Sequence, residues 1–143
     1  MPVRKLEEDG TWFHPARLPL GNAWHGHCGA AGHELAELSL DQLRECNLGY
    51  ALACPRLPQE RVCDAVRFSV ARDTGSKLLL WFVCEKNHQP AACGTLEYEQ
   101  PLGPWISPHS NPLIQRMAEC FLESYLNRKT RSVAAEFTSS PHL

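Results

Sequence analysis

The clearest pattern of apolar and polar positions lies in the second half of the chain. From Ala65 to Ala71, Val66, Phe68 and Val70 alternate with Arg67 and Ser69, the two-residue period of a half-buried strand. Arg72–Ser76 reads as a turn. Leu78 to Cys84 is apolar on both sides, with Leu78, Leu80 and Phe82 on one face and Leu79, Trp81 and Val83 on the other. Gly94 to Glu99 alternates again, Leu96 and Tyr98 against Thr95, Glu97 and Glu99. These segments predict a three-stranded antiparallel meander with 78–84 at its centre. A central strand apolar on both faces needs cover on both. A helix can cover one. The N-terminal arm, the cysteine-bearing segment or a second subunit is expected on Leu79, Trp81 and Val83.

That helix is written in the sequence after Asn111-Pro112, a capping residue followed by a first-turn proline. Ile114, Met117, Ala118, Phe121, Leu122 and Tyr125 then recur at helical spacing, while Gln115, Arg116, Glu119, Glu123 and Arg128 mark a polar side. The pattern stops near Lys129, and residues 132–143 are expected to fray. Pro101–Asn111, with Pro104, Trp105, Pro108 and His109, reads as a loop.

The first half is less regular. Residues 1–24 hold Trp12, Phe13, Leu18, Leu20 and Trp24 without a clear period and are expected to lie as an extended arm across the domain. Ser39–Glu45 predicts a short helix, with Ser39 as cap and Gln42 at the capping-box position. It stops near Cys46-Asn47-Leu48-Gly49, where Gly49 suits a left-handed C-terminal position. Pro55 and Pro58 mark a break before the sheet.

Chemistry concentrates in that first half. His25 and Cys28 have the spacing of a metal knuckle, with Gly26, Gly29 and Gly32 around them. Cys46 follows at the helix end, and Cys54 precedes a proline. Glycines let backbone N–H groups turn towards a thiolate. No strand precedes them, so they are not a dinucleotide fingerprint. His25, Cys28, Cys46 and Cys54 make up a Cys3His set, a common structural zinc site. The gap from Cys46 to Cys54 is wide for a zinc knuckle. Such gaps also suit an iron–sulfur cluster, with Cys63 or Cys93 as a fourth thiolate. The bland alternative is that these cysteines are small buried hydrophobes.

Cys84, His88 and Cys93 form a second constellation, read most simply as a core cysteine and a loop histidine. Nucleophilic pairs Cys84/His88 and Cys54/His27 are conceivable, but spacing shows neither a lowered pKa nor an oriented base. Cys63 has no partner logic, and Cys120 is expected to pack beside the helix stripe. His14, His109 and His142 are expected on loops or the surface. Glu97 and Glu99 are expected to keep a sheet edge wet.

Seven cysteines in 143 residues is a high, odd number. Met1–Asp9 shows no hydrophobic signal segment, and no apolar run reaches the roughly 20 residues of a membrane span. A cytoplasmic location is therefore expected, where thiols stay free for metals. The net charge of −2 disfavours nucleic acid, despite Arg56, Arg61, Arg67 and Arg72 and the stacking potential of Tyr50 and Trp81.

The phrases Cys46-Asn-Leu-Gly-Tyr-Ala, Cys54-Pro-Arg-Leu-Pro, Asp64-Ala-Val-Arg-Phe and Gly94-Thr-Leu-Glu-Tyr resemble short bacterial proteins of unassigned function, a likeness that carries no activity or ligand.

The expectation is thus an α+β unit. It has an arm (1–24), a Cys/His metal module (25–58), an antiparallel sheet with a C-terminal helix (62–131) and a tail (132–143). Zinc, or alternatively an iron–sulfur cluster, would be structural, and the partner would be another protein or a second copy. An enzyme with an open metal position is a third possibility.

Overall fold

The alternating segments form a single antiparallel sheet whose four strands lie side by side in chain order, seen in a computed structural model that describes residues 2–5, 18–30, 32–34, 36–48, 54–56, 63–101 and 103–138. Strand β3 is Ala65–Asp73, β4 Lys77–Lys86, β5 Gln89–Glu99 and β6 Trp105–Ser107. The expected meander is therefore present, with β4 central among its three strands, and a fourth strand is added outside β5. Trp105–Ser107 lies within the stretch expected to be loop, and it pairs Glu97 with Ser107 and Tyr98 with Trp105. A short strand, β1 (Pro2–Lys5), pairs with β2 (Trp24–Gly26) as a separate two-stranded ribbon. The remaining elements are two helices, α1 (Leu40–Leu48) and α2 (Pro112–Thr138).

Register explains which face is wet. Val70 pairs with Leu80 and Leu80 with Leu96, while Leu78 pairs with Tyr98. These residues face α2. Leu78, Leu80, Leu96, Tyr98, Ala118 and Leu122 make the main buried cluster, bordered by Phe68, Phe82, Phe121 and Tyr125. Full burial of each large aliphatic side chain contributes roughly 1.5–3 kcal/mol. Gly94 lies opposite Phe82, and a Cβ there would come within 3.0 Å of the phenyl ring. A side chain at 94 would thus take the space the ring fills.

Helix α2 starts as the sequence predicts. Asn111 Oδ1 accepts from the Leu113 N–H at 2.9 Å and the Ile114 N–H at 3.4 Å. It continues to Thr138, past the expected stop at Lys129, so 132–138 are helical rather than frayed. Its buried arc is wider than the apolar stripe. Cys120 and Ser124, both with no exposed surface, meet the segment 18–24, and Phe68 of β3 borders the cluster around Cys120. There Leu20 and Trp24 pack on Cys120. Burial pushes the Cys120 thiol up to about 11. Asn22 donates to the Ser124 hydroxyl at 2.9 Å, and Arg128 donates to the Gly21 carbonyl at 3.2 Å. Gly21, at φ +73°, leaves no room for a Cβ between Ser124 and Arg128.

The described part of the arm, Leu18–Trp24, therefore lies across α2 and leaves the far side of the sheet alone. The expected cover over Leu79, Trp81 and Val83 is not supplied by it, and Trp81 stays 40% exposed. The rest of the arm, 6–17, lies outside the described residues, as do Tyr50, Arg61, His14 and His142.

One carboxylate ties the sheet to the helix. Asp73 Oδ1 accepts from the Gly75 N–H and the Gln100 side-chain amide, both at 2.9 Å. Asp73 Oδ2 accepts from the Tyr125 hydroxyl at 2.7 Å and the Lys129 ammonium at 2.8 Å. These donors, Lys129 first, hold the Asp73 carboxyl far below the usual carboxylate range, and the same contact raises the Tyr125 hydroxyl.

Candidate functional site

Local chemistry fixes helix α1, which carries Cys46, against strand β2, which carries His25. Helix α1 opens with the predicted capping box: the Gln42 N–H donates to the Ser39 hydroxyl at 3.3 Å, and the Ser39 N–H donates to Gln42 Oε1 at 3.0 Å. In its last turn, Asn47 turns inward. Its Oδ1 accepts from the Trp24 N–H at 2.6 Å, and its Nδ2 donates to the carbonyls of Trp24 and Leu43 at 2.9 Å. A buried amide thus clasps the backbone of β2 in both directions. Cys46, beside Asn47, is held near the strand that leads through His25 to Cys28.

The thiols sense each other's charge. Desolvation first, then Cys54 and Cys28, push the Cys46 thiol up. Cys28 moves the other way: the Ala30 backbone N–H favours its thiolate most, burial opposes it, and the Arg56 guanidinium adds to the lowering. Pro55 and Arg56 form a turn directly after Cys54, so Cys54 and the cation on Cys28 are two positions apart in the chain. Arg56 Nη1 is buried with no hydrogen-bond partner, as is Trp24 Nε1. A buried donor without an acceptor costs about 1–3 kcal/mol.

His25 is half-buried in β2, paired with Arg4. Among the described residues, no three His, Cys, Asp or Glu side chains are gathered tightly enough to hold a metal ion. Cys28, Cys46, Cys54 and His25, all among those residues, are therefore not gathered into a metal-holding group.

The second constellation is spread out. Asn87 and His88, at φ 52° and 62°, form the tight β4–β5 turn, as mirror-image hairpin turns require. Cys84 is buried against Val66 and Ile114 with Cys63 alongside. Cys93 pairs with Val83 on the opposite, exposed face, and His88 stands exposed at the turn. The bland reading of this trio fits the geometry. His109, expected on a loop or the surface, lies in the loop before α2 and is half-buried, its ring edge-on to Phe82 at 4.8 Å.

Sequence reasoning missed Arg56, grouping it with the other arginines as a basic patch. Its place two residues after a candidate thiol ligand was the available signal. Arg67 pairs instead with Glu85 at 2.7 Å on the sheet. No helix among the described residues is long and apolar enough to cross a membrane. Comparison with family models, curated proteins and solved structures finds no match to this chain.

Proposed function

We propose that the chain is a small zinc-binding interaction module whose structural site uses Cys28, Cys46, Cys54 and His25. The supporting observation is the residue set itself, three thiols and an imidazole of the Cys3His type, with Asn47 clasping the end of the helix that bears Cys46 to the backbone of β2, which carries His25 and leads to Cys28. A Cys3His zinc complex carries one net negative charge, and Arg56 beside Cys28 supplies a compensating cation with an N–H to spare. The bound ion would contribute folding free energy to a segment with few buried apolar side chains. Because the described sulfurs form no closed cage, loading draws the segment together.

The test is elemental analysis of protein purified without a metal-affinity tag. One zinc per chain is expected, lost equally in Cys28→Ser, Cys46→Ser and Cys54→Ser. Amide exchange over 24–48 should slow on loading. A brown preparation carrying iron and sulfide would replace zinc with a cluster. Protein that takes up no metal from an added stoichiometric zinc solution would overturn the reading.

A further inference from the structure

The outer face of the sheet has a layout that the described buried clusters do not use. Residues that point away from α2 form rows across the strands. Arg72 pairs with Leu79, and Leu79 with Glu97. Ser69 pairs with Trp81, and Trp81 with Thr95. Arg67 pairs with Val83, and Val83 with Cys93. An apolar spine, Leu79-Trp81-Val83, runs down the middle. The β3 flank is basic and the β5 flank is acidic. Lys77, paired with Glu97 at 3.5 Å, and Glu85, paired with Arg67, close the spine at its two ends.

We propose that this face docks on the same face of a second copy of the chain, with the twofold axis running along β4. The claim deepens the reading above by naming the partner of the interaction module.

Only that axis suits the charges. Rotation about β4 lays the β3 flank of one copy over the β5 flank of the other, so Arg72 meets Glu97 twice and Ser69 meets Thr95. Rotation about an axis across the strands at Trp81 would lay the basic flank on itself, Arg72 against Arg67. Along the spine, Leu79, Trp81 and Val83 meet their own counterparts at the usual sheet spacing of about 10 Å, which two offset indole rings can fill. The interface is isologous, as a closed dimer requires. Three strands over about seven residues, with the three-residue β6 beside them, cover roughly 400 Å² per copy. That is below the usual size for a stable complex, so dissociation constants of about 10–100 μM are expected.

Sedimentation equilibrium of the full chain, metal content measured on the same samples, tests this. A monomer–dimer equilibrium is expected across about 5 μM to 1 mM. Trp81→Glu should abolish it. Arg72→Glu should weaken it at least about tenfold, and Arg72→Glu with Glu97→Arg should restore it to within about threefold. Circular dichroism checks that each variant folds, and the charge pair keeps the test sharp if Trp81→Glu does not. A chain that stays monomeric at 1 mM (on the order set by such small interfaces), a dimer indifferent to Trp81→Glu, or a charge swap that fails to restore association would each overturn the proposal. Zinc content is expected to be the same in all these variants, so loss of association and loss of metal are read separately.

Discussion

At the level of single residues, Asp73 does more than any other side chain described. Asp73→Asn keeps the shape but loses the charge that Lys129 and Tyr125 answer, and should cost about 1–3 kcal/mol. The pH signature follows from the direction of the shifts. The folded Asp73 pKa lies below its unfolded value, so its stabilisation is present above the ordinary carboxylate range and is lost as pH falls through the folded pKa. The folded Tyr125 pKa lies above its unfolded value, so its contribution is full below the ordinary phenol range and fades as pH rises through the folded pKa. Urea midpoints across pH should show both slopes in the wild type and a flatter acid limb in Asp73→Asn. Gly94→Ala should cost about 1–3 kcal/mol by displacing the Phe82 ring, again read from urea midpoints. Neither role could be read along the sequence. Asp73 looks like an ordinary turn residue, and its partners lie on a helix more than 50 residues on. Gly94 looks like a strand boundary until its cross-strand neighbour is known.

Among the elements, legibility followed burial. Val66, Phe68 and Val70 announce β3 because one face is dry and the other wet. The first part of β5, Gln89–Ala92, is exposed throughout and carries no such contrast, so alternation located only its second part. Strand β6 is short and set among prolines, below the length at which a period can be counted. The C-terminal extension of α2 is exposed through residue 136, so only helix propensity marks it. Since residues 132–136 are exposed, a chain ending after Arg131, which retains Arg128 and Lys129, should match the full chain within about 0.5 kcal/mol by thermal melting. Asn47→Ala should behave oppositely. Losing the clasp on Trp24 leaves buried backbone groups without partners, at about 2 kcal/mol, and amides of Trp24 and His25 should exchange faster.

Across the whole molecule, sequence reading found the α+β class, the sheet-plus-helix core and the order of its parts. It did not find which layer the arm joins, because apolar spacing in residues 18–24 suits either face equally well. Nor could spacing show how nearly the thiols approach, since that depends on the Asn47 clasp and on the loop bearing Arg56. The candidate site was legible as a set of residue types and not as an arrangement.

Asn22 and Ser124 meet 102 positions apart, sealed from water. Ser124→Ala strands the asparagine amide, and Asn22→Leu strands the hydroxyl, yet changing both together removes the need each has for the other. The joint replacement should therefore be milder than the sum of the separate ones, a double-mutant-cycle coupling of about 1 kcal/mol or more. In descent, the two sites are expected to drift as one inherited unit.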